Sequence, residues 1–327
     1  DILTIPLNPA LDVLTSIDQV SDTHKMRCGP TLKHPGGGGV NVARVLHRLG
    51  ANCVALYLAG GVTGERHHKL MNAEKVRCHI MPIAEETRES FSVHEASSGH
   101  DFRFVLPGPN VSTAECEAVF DYVAQHMPKK FLVISGGLSP GIPDNFYARL
   151  TALAKQHGVR VVLDTNGPAL MEALKVGVYL FKPSLRELRD LTGQALPDTD
   201  SQVAAARMLI DQGQAEVVAV SLGEDGALVV SAQECWQARA IQVDVKTTIG
   251  VVDLYRLTAF ENLLGPRDRV STGSLHRNQG RSACDAVGVD RPATLPATTV
   301  ERPTCSARLE AWIAYCLTKS RRYCCGC

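Results

Sequence analysis

Apolar runs and segments with helical spacing alternate along residues 112–222. Four short apolar runs predict buried strands at 131–135, 159–164, 178–182 and 217–222. Five segments with apolar residues every three or four positions predict helices at 112–126, 144–157, 168–175, 184–192 and 199–212. Strands that are apolar on both faces and alternate with helices indicate an α/β fold with a doubly wound, mostly parallel sheet.

The first hundred residues add a second kind of pattern. An apolar first strand at 2–6 precedes mixed polar and apolar positions at 12–34, which are typical of short antiparallel strands. A second strand pair is predicted at 89–96 and 102–106. Further elements are a helix ending at Gly50, strands at 53–58 and 76–81, and a helix at 63–75. The two strand pairs predict a small sheet outside the main layer. After residue 222, a further pair of strands at 226–231 and 235–243 is predicted to form a hairpin.

The pattern stops after Asp253. A helix to residue 264 and a helical repeat at 307–319 are predicted, but 267–305 is rich in Arg, Thr, Ser, Gly and Pro and is expected to be poorly ordered. We therefore divide the chain into a domain at 1–253, with small-sheet strands near 12–34 and 89–106, and a tail at 254–327. We also expect a few residues to precede Asp1, since a strand follows it directly.

Charge separates the same two parts. The formal net charge is zero, which gives no argument for a nucleic-acid or membrane partner. Residues 1–253 contain 23 Lys+Arg against 28 Asp+Glu, whereas residues 254–327 contain 11 against 6.

No secretory signal or membrane-spanning apolar run is apparent, so a cytoplasmic location is expected.

The cysteines are also distributed differently between residues 1–253 and residues 254–327. The domain has five scattered cysteines without metal spacing, as expected of reduced thiols. The tail has six, and a metal or disulfide role for them is the less favoured interpretation because no second His/Cys cluster accompanies them.

Four consecutive glycines, at 36–39, precede a helix. Without Cβ atoms the backbone N–H groups are open to a polar ligand, and Asn41 can both donate and accept hydrogen bonds. The simpler alternative is a flexible turn with a helix cap. The spacing is not the dinucleotide-binding fingerprint, and no Gly-Lys-Ser/Thr phosphate loop occurs.

Candidate ligand-binding charges are few. Asp12 follows the first strand, where a carboxylate can bind sugar hydroxyls, although an exposed turn residue is the simpler interpretation of this stretch alone. Lys25, Arg27 and Arg88 lie in the small-sheet segments. Each alone suits a solvated surface, but together they could hold a phosphate.

The order of six motifs resembles the PfkB branch of the ribokinase-like sugar kinases over about residues 1–250. The motifs are Asn-Pro-Ala-Leu-Asp at 8–12, Gly-Gly-Gly-Gly-Val-Asn-Val-Ala at 36–43, Thr87-Arg88, Ser-Gly-Gly-Leu-Ser-Pro-Gly at 135–141, Lys182-Pro183-Ser184 with Glu187, and Ser-Leu-Gly-Glu-Asp-Gly-Ala at 221–227. The four-glycine form resembles the bacterial 6-phosphofructokinases of this branch. The 1-phosphofructokinases and tagatose-6-phosphate kinases, which more often carry a Lys there, stay as alternatives.

The resemblance implies MgATP-dependent phosphorylation of fructose 6-phosphate, a step of glycolysis, with potassium as a further candidate ion. It implies an α/β domain whose β-sheet lid also forms a homodimer interface. The sugar-phosphate ligands implied by motif position are Asp12, Lys25, Arg27, Gly37, Gly38, Asn41, Arg88 and Ser135. The implied nucleotide ligands are Lys182, Ser184, Ser221, Gly223, Gly226 and Thr248, with Glu187 acting on magnesium through water. Ser184 replaces the usual Asn of its motif and shortens that side chain.

The implied catalytic motif is altered. In the family, Gly-Ala-Gly-Asp opens a helix whose N–H groups stabilise the transferring phosphoryl group, while the Asp accepts the proton of the sugar hydroxyl. Gly250 and Asp253 occupy the first and last positions, but Val251 and Val252 stand between them. A β-branched residue cannot readily adopt the positive φ open to Gly, so the anion hole would be damaged.

Three hypotheses follow. The chain is an ATP-dependent 6-phosphofructokinase with Asp253 as general base, or a non-catalytic product that binds sugar phosphate or nucleotide, or a chain that does not fold stably. The tail shows no family pattern, and its abrupt composition change favours a shifted reading frame over a divergent tail.

Overall fold

The computed structural model describes residues 1–238 and 289–290. In chain order the strands are β1 (Ile2–Thr4), β2 (Ala10–Ile17), β3 (Leu32–Gly36), β4 (Cys53–Ala59), β5 (Cys78–Pro82), β6 (Arg88–Glu95), β7 (Asp101–Val105), β8 (Phe131–Ser135), β9 (Arg160–Asp164), β10 (Val178–Phe181), β11 (Ala215–Ser221), β12 (Ala227–Ser231), β13 (Cys235–Ala238) and β14 (Val289–Asp290). The helices are α1 (Gly38–Arg48), α2 (Gly61–Ala73), α3 (Thr113–Gln125), α4 (Phe146–Gln156), α5 (Gly167–Val176), α6 (Leu185–Thr192) and α7 (Thr199–Asp211).

The main sheet has the order β14-β13-β12-β11-β10-β9-β8-β1-β4-β5. Pairing is parallel from β5 through β11 and antiparallel from β11 through β14. Parallel strands joined by helices bring their carboxyl ends to one edge, where ligands bind in open α/β sheets. The predicted doubly wound, mostly parallel sheet is confirmed.

Two buried clusters lie on the faces of this sheet, because alternate strand residues point to opposite sides. Leu132 and Ile134 of β8 belong to the first cluster, together with side chains of α3 through α7. Phe131 and Val133 belong to the second cluster, to which α1 and α2 contribute. Helices of the described residues therefore cover both faces. None of them is long and apolar enough to cross a membrane.

A second sheet, the lid, has the order β3-β2-β6-β7. The predicted strand pairs are both antiparallel, β2 with β3 and β6 with β7. The pairs join through a parallel contact of β2 with β6, in which Ala10 faces Arg88. Residues 18–31 connect β2 to β3 without a strand.

One local expectation was wrong. Asp12 is the third residue of β2 rather than a turn residue after the first strand. The stretch around Asp12 does not show this by itself, because the segment is held extended by pairing with β3 and β6, which lie further along the chain. Apart from Val289 and Asp290, the elements predicted in the tail lie outside the described residues.

Candidate active site

The four-glycine segment lies between the lid and the carboxyl end of the main sheet. Gly36 ends β3, and α1 begins at Gly38. Gly37 caps the helix with φ of 113°, a conformation that a residue with a side chain rarely adopts. Gly37 has no side chain that could accept a hydrogen bond from the first N–H groups of the helix. The first N–H groups of α1 therefore have no side-chain cap, as suits the approach of an anion.

Gly38 packs directly against the end of β8. A Cβ atom at Gly38 would lie 2.5 Å from Ser135 Oγ and 3.3 Å from the backbone nitrogen of Gly136. Real Cβ atoms do not approach other atoms as closely as 2.5 Å, so a side chain here would displace the buried Ser135 hydroxyl or move α1 away from the sheet. The glycine thus permits the close approach of the helix start to β8.

Beneath this contact lies a buried polar chain. Ser135 Oγ donates to Asp164 Oδ2 at 3.1 Å, and Lys182 Nζ lies 3.3 Å from Asp164 Oδ1. All three side chains are at most 2% exposed. The Ser135 hydroxyl donates its proton to Asp164, so it could meet a substrate only as an acceptor. Its implied contact with substrate stays a prediction.

Asp164 was missed in the sequence. The available signal was its position as the last residue of an apolar run, at the ligand-binding edge of the sheet. Its ion pair with Lys182 joins the ends of β9 and β10. A buried charge pair of this kind is expensive to break, because either partner alone would be an uncompensated buried charge.

Asp12 lies on the lid face that also carries Arg88 and Arg103. The strand register puts Asp12 opposite Ser90 and Arg103 opposite Ser92, so these residues share one face of the sheet. Arg103 comes within 3.9 Å of Asp12 Oδ1. Arg88 donates to the backbone oxygens of Asn8 at 3.1 Å and Leu106 at 3.2 Å.

Asp12 also lies against the glycine segment. A Cβ atom at Gly36 would lie 2.2 Å from Asp12 Oδ2, so the carboxylate occupies the space that a side chain would fill. Burial raises the pKa of Asp12, while the charges of Arg103, Arg88 and Arg44 oppose that rise. Asp12 Oδ1 accepts no hydrogen bond from the described residues. The Asp12 side chain as a whole is 24% exposed, and it lies among cations that suit a phosphate.

Asn41 lies in the first turn of α1, where its backbone N–H donates to the carbonyl of Gly37 at 2.9 Å. Its side-chain oxygen accepts from Arg44 at 3.2 Å. Lys25 and Arg27 are exposed in the connection 18–31, and neither side chain contacts the residues above through a hydrogen bond or ion pair within the described ranges. The structure thus brings Asp12, Gly37, Gly38 and Asn41 together around the helix start, and their roles stay predictions.

The implied nucleotide ligands follow the next strand ends. Ser184 caps α6, and its Oγ accepts from the N–H of Glu187 at 3.2 Å. Glu187 Oε2 in turn accepts from the N–H and hydroxyl of Ser184, both at 2.8 Å. A backbone bridge joins Ser184 to Ser221 at the end of β11. This reciprocal capping aligns the start of α6 with the end of β11.

The turn after β11 completes this group. Gly223 has φ of 66° and Gly226 has φ of 99°, which glycine adopts readily. The N–H of Leu222 donates to the carbonyl of Gly226 at 2.9 Å and closes the turn. The predicted residues Thr248, Gly250 and Asp253 lie outside the described part of the chain.

Comparison with known proteins identifies the class to which this fold and site belong. The pattern of the pfkB family carbohydrate kinases matches residues 7–255. The chain belongs to this family, and the resemblance found in its motifs is confirmed.

The most similar relatives include two enzymes with the same name. ATP-dependent 6-phosphofructokinase isozyme 2 of Mycobacterium tuberculosis is 42% identical over 253 residues, which are 77% of this chain and 74% of that protein. Its namesake from Escherichia coli is 36% identical over 77% of this chain and 82% of that protein. A 1-phosphofructokinase of Bacillus subtilis is more distant, at 28% identity over 77% of this chain and 82% of that protein.

Solved structures agree with the fold. The crystal structure of Escherichia coli phosphofructokinase-2 in complex with fructose-6-phosphate superposes with a TM-score of 0.72 and 34% identity, covering 79% of this chain and 87% of that chain. Structures of the same enzyme include a complex with potassium and a tetrameric inhibited form, each with a TM-score of 0.73 and 35% identity, and each covering 80% of this chain. They cover 85% and 86% of their own chains.

Proposed function

We propose that the chain phosphorylates fructose 6-phosphate with ATP as the phosphoryl donor. The observation that carries this proposal is the juxtaposition of Asp12, flanked by Arg88 and Arg103, with the glycine start of α1. A carboxylate suits sugar hydroxyls, and guanidinium groups suit the phosphate of a sugar phosphate. The names of the relatives at 42% and 36% identity support the particular sugar phosphate.

The chemistry follows from positioning and charge. The N–H groups at Gly37 and Gly38, with Asn41, would bind the sugar, and Ser135 is a further predicted ligand. Lys25 and Arg27 would act on the phosphate from the lid. Asp253 would accept the proton of the attacking hydroxyl, and Gly250 would open the helix that stabilises the transferred group.

The nucleotide would lie along the ends of β10 and β11. Its predicted ligands are Lys182, Ser184, Ser221, Gly223, Gly226 and Thr248. The described residues contain no group of three or more His, Cys, Asp or Glu side chains arranged to hold a metal ion. Magnesium is commonly bound by one or two carboxylates together with substrate phosphates, and Glu187 would hold it through water. Magnesium would neutralise phosphate charge, and potassium is a candidate because a relative was solved with it.

A second candidate function is binding without turnover. Val251 and Val252 in place of the family's Ala and Gly favour it, because β-branched side chains at these positions would crowd the N–H groups that would stabilise the transferring phosphoryl group. Asp12 and Asn41 lie far from that segment in the sequence, and neither belongs to the altered motif. Binding of the sugar phosphate could therefore survive while transfer is lost.

The test combines turnover and binding on the same preparation of the full chain. We expect release of ADP that depends on fructose 6-phosphate, and calorimetric binding that Asp12→Asn weakens about ten- to a hundredfold, the loss expected for a hydrogen bond to a charged group. Binding without ADP release would establish the second function. Absence of both in a chain with a cooperative thermal transition would refute the proposal, whereas absence of that transition would support the hypothesis of an unstable fold.

The same assay addresses the sugar. Fructose 1-phosphate and tagatose 6-phosphate are the competitors, because 1-phosphofructokinases are more distant relatives and tagatose-6-phosphate kinases share the branch. We expect the highest kcat/KM with fructose 6-phosphate. A higher value with either competitor would reassign the substrate.

We also propose that two copies associate through the lid. Phe91 and Phe104 are cross-strand partners on the lid face opposite Asp12, and they are 36% and 56% exposed. Exposed aromatic residues on one sheet face are typical of an interface. The tetrameric relative makes a higher assembly the alternative.

The free thiols among the described residues accord with a cytoplasmic location.

A further inference from the structure

Arg44 connects the glycine segment to the end of α2. It lies one helical turn after Asn41 in α1, and its side chain is 12% exposed. One terminal nitrogen, Nη1, donates to Asn41 Oδ1 at 3.2 Å and to the carbonyl of Pro35 at 3.3 Å. Arg44 thereby contacts the residue before the four glycines and the polar residue after them.

The other side of the guanidinium is held by Glu74. Arg44 Nη2 lies 2.6 Å from Glu74 Oε1, and Arg44 Nε lies 3.0 Å and 2.9 Å from the two carboxylate oxygens. Burial alone would raise the pKa of Glu74, but the hydrogen bonds and charges of Arg44 and Arg48 outweigh it and lower that pKa. The carboxylate is thus ionised at neutral pH, and the two-point contact leaves the planar guanidinium one orientation.

This contact determines how the amide of Asn41 is turned. A guanidinium has donors and no acceptor, so the atom of Asn41 that meets Arg44 must be the amide oxygen. The amide NH2 is then the group that remains for a ligand, and it donates to no acceptor within the described residues. A reversed amide would place two donors face to face and lose the Arg44 contact.

We propose that Arg44, held by Glu74, is a positioning residue that turns Asn41 into a hydrogen-bond donor toward the sugar phosphate. The inference rests on the proposed function, since it assigns the Asn41 amide to that ligand. It also assigns Arg44 a second task, in which the contact with Pro35 keeps the chain entering the glycine segment in place. Arg44 itself needs no contact with the substrate.

A double-mutant cycle on the full chain tests this assignment, with calorimetric affinity for fructose 6-phosphate as the readout. Asn41→Ala and Arg44→Met are each expected to weaken binding at least about tenfold, and the double variant is expected to lie within about twofold of the weaker-binding single variant. Affinity for ATP is expected to stay within about twofold. Arg48→Met is the matched control, because it removes another contact with Glu74, at 3.1 Å, without touching Asn41.

Arg44→Lys is a second variant that separates a loss of amide orientation from a loss of folding. It keeps the charge, but an ammonium cannot hold the carboxylate at two points and also orient the amide. We expect it to bind fructose 6-phosphate about as weakly as Arg44→Met. Wild-type affinity of Arg44→Lys, or additive losses in the cycle, would overturn the inference and leave the proposed function intact. Failure of the wild-type chain to bind any sugar phosphate would overturn both.

Discussion

His67 gives the chain a pH-dependent stability that can be calculated from its burial. The side chain lies on α2 and is fully buried, with the ring of Tyr57 edge-on at 5.0 Å. Burial lowers the pKa of His67 from 6.5 to about 4, although the nearby carbonyl of Gly36 and the charge of Arg44 also act on it, in opposite directions. Neither ring nitrogen has a hydrogen-bond partner of good geometry among the described residues.

The direction of the pH dependence follows from the pH at which the folded and the unfolded state each bind the proton of His67. The unfolded chain protonates this imidazole near pH 6.5 and the folded chain only near 4, so the unfolded state binds more protons between these values. Stability is therefore lost as the pH falls from about 6.5 toward about 4, and the loss ends below that range. At about 1.4 kcal/mol per pKa unit the full effect is about 3 kcal/mol, and about 2 kcal/mol of it appears by about pH 5.

The assay is urea unfolding of wild type and His67→Gln at about pH 7.5 and about pH 5. Gln does not titrate, so the variant should lose about 2 kcal/mol less than wild type between the two pH values, whatever its stability at the higher pH. His157→Gln is the control, because His157 is exposed. Stability curves of wild type and His67→Gln that run parallel within about 0.5 kcal/mol would refute the reasoning, since no titration would then be linked to this burial.

Three further predictions concern the site and the lid. Gly38→Ala forces a Cβ to 2.5 Å from the hydroxyl at the end of β8 and should cost about 1–3 kcal/mol of stability and most sugar-phosphate affinity, whereas Gly137→Ala, with nothing within 4 Å, should cost neither; equal effects would contradict the packing argument. Lys182→Met removes the cation beside the buried Asp164 carboxylate and should cost about 3–5 kcal/mol in urea unfolding, with partial recovery on adding Asp164→Asn; no recovery would show that the pair is not the cause. Phe104→Glu should shift the sedimentation coefficient toward a monomer, and an unchanged value would remove this lid face from the interface.

The fold was largely predictable because its signals are local. The apolar run at 131–135 lies between two lysines and two glycines, and it has the same limits in the structure as in the sequence pattern. The helix after the glycine segment ends near Gly50. The φ of Gly50 is 73°, a conformation that glycine adopts readily. Such elements depend on spacing and on single residues whose conformational preferences are strong.

The site was less predictable because its contacts are long-range. Arg103 approaches Asp12 only because β2 pairs in parallel with β6, and nothing near either residue in the sequence encodes that pairing. Asp164 and Lys182 lie at the ends of separate strands, and each alone looks like a residue at a strand end. Asn41 was identified from its motif, but the direction of its amide depends on Arg44 and, through it, on Glu74 in another helix.

The parallel pairing of β2 with β6 also has a consequence for the order of folding. Ala10 and Arg88 face each other across this pair, and the intervening chain includes α1, β4, α2 and β5. Contacts between positions so far apart in the chain form late and slowly, because the loop between them must close first. During synthesis β2 and β3 can form a hairpin soon after they are made, but the carboxylate on β2 meets its arginines only after two more helices have been completed. The lid face that carries Asp12 therefore assembles later than the hairpin of β2 and β3 on which this residue lies.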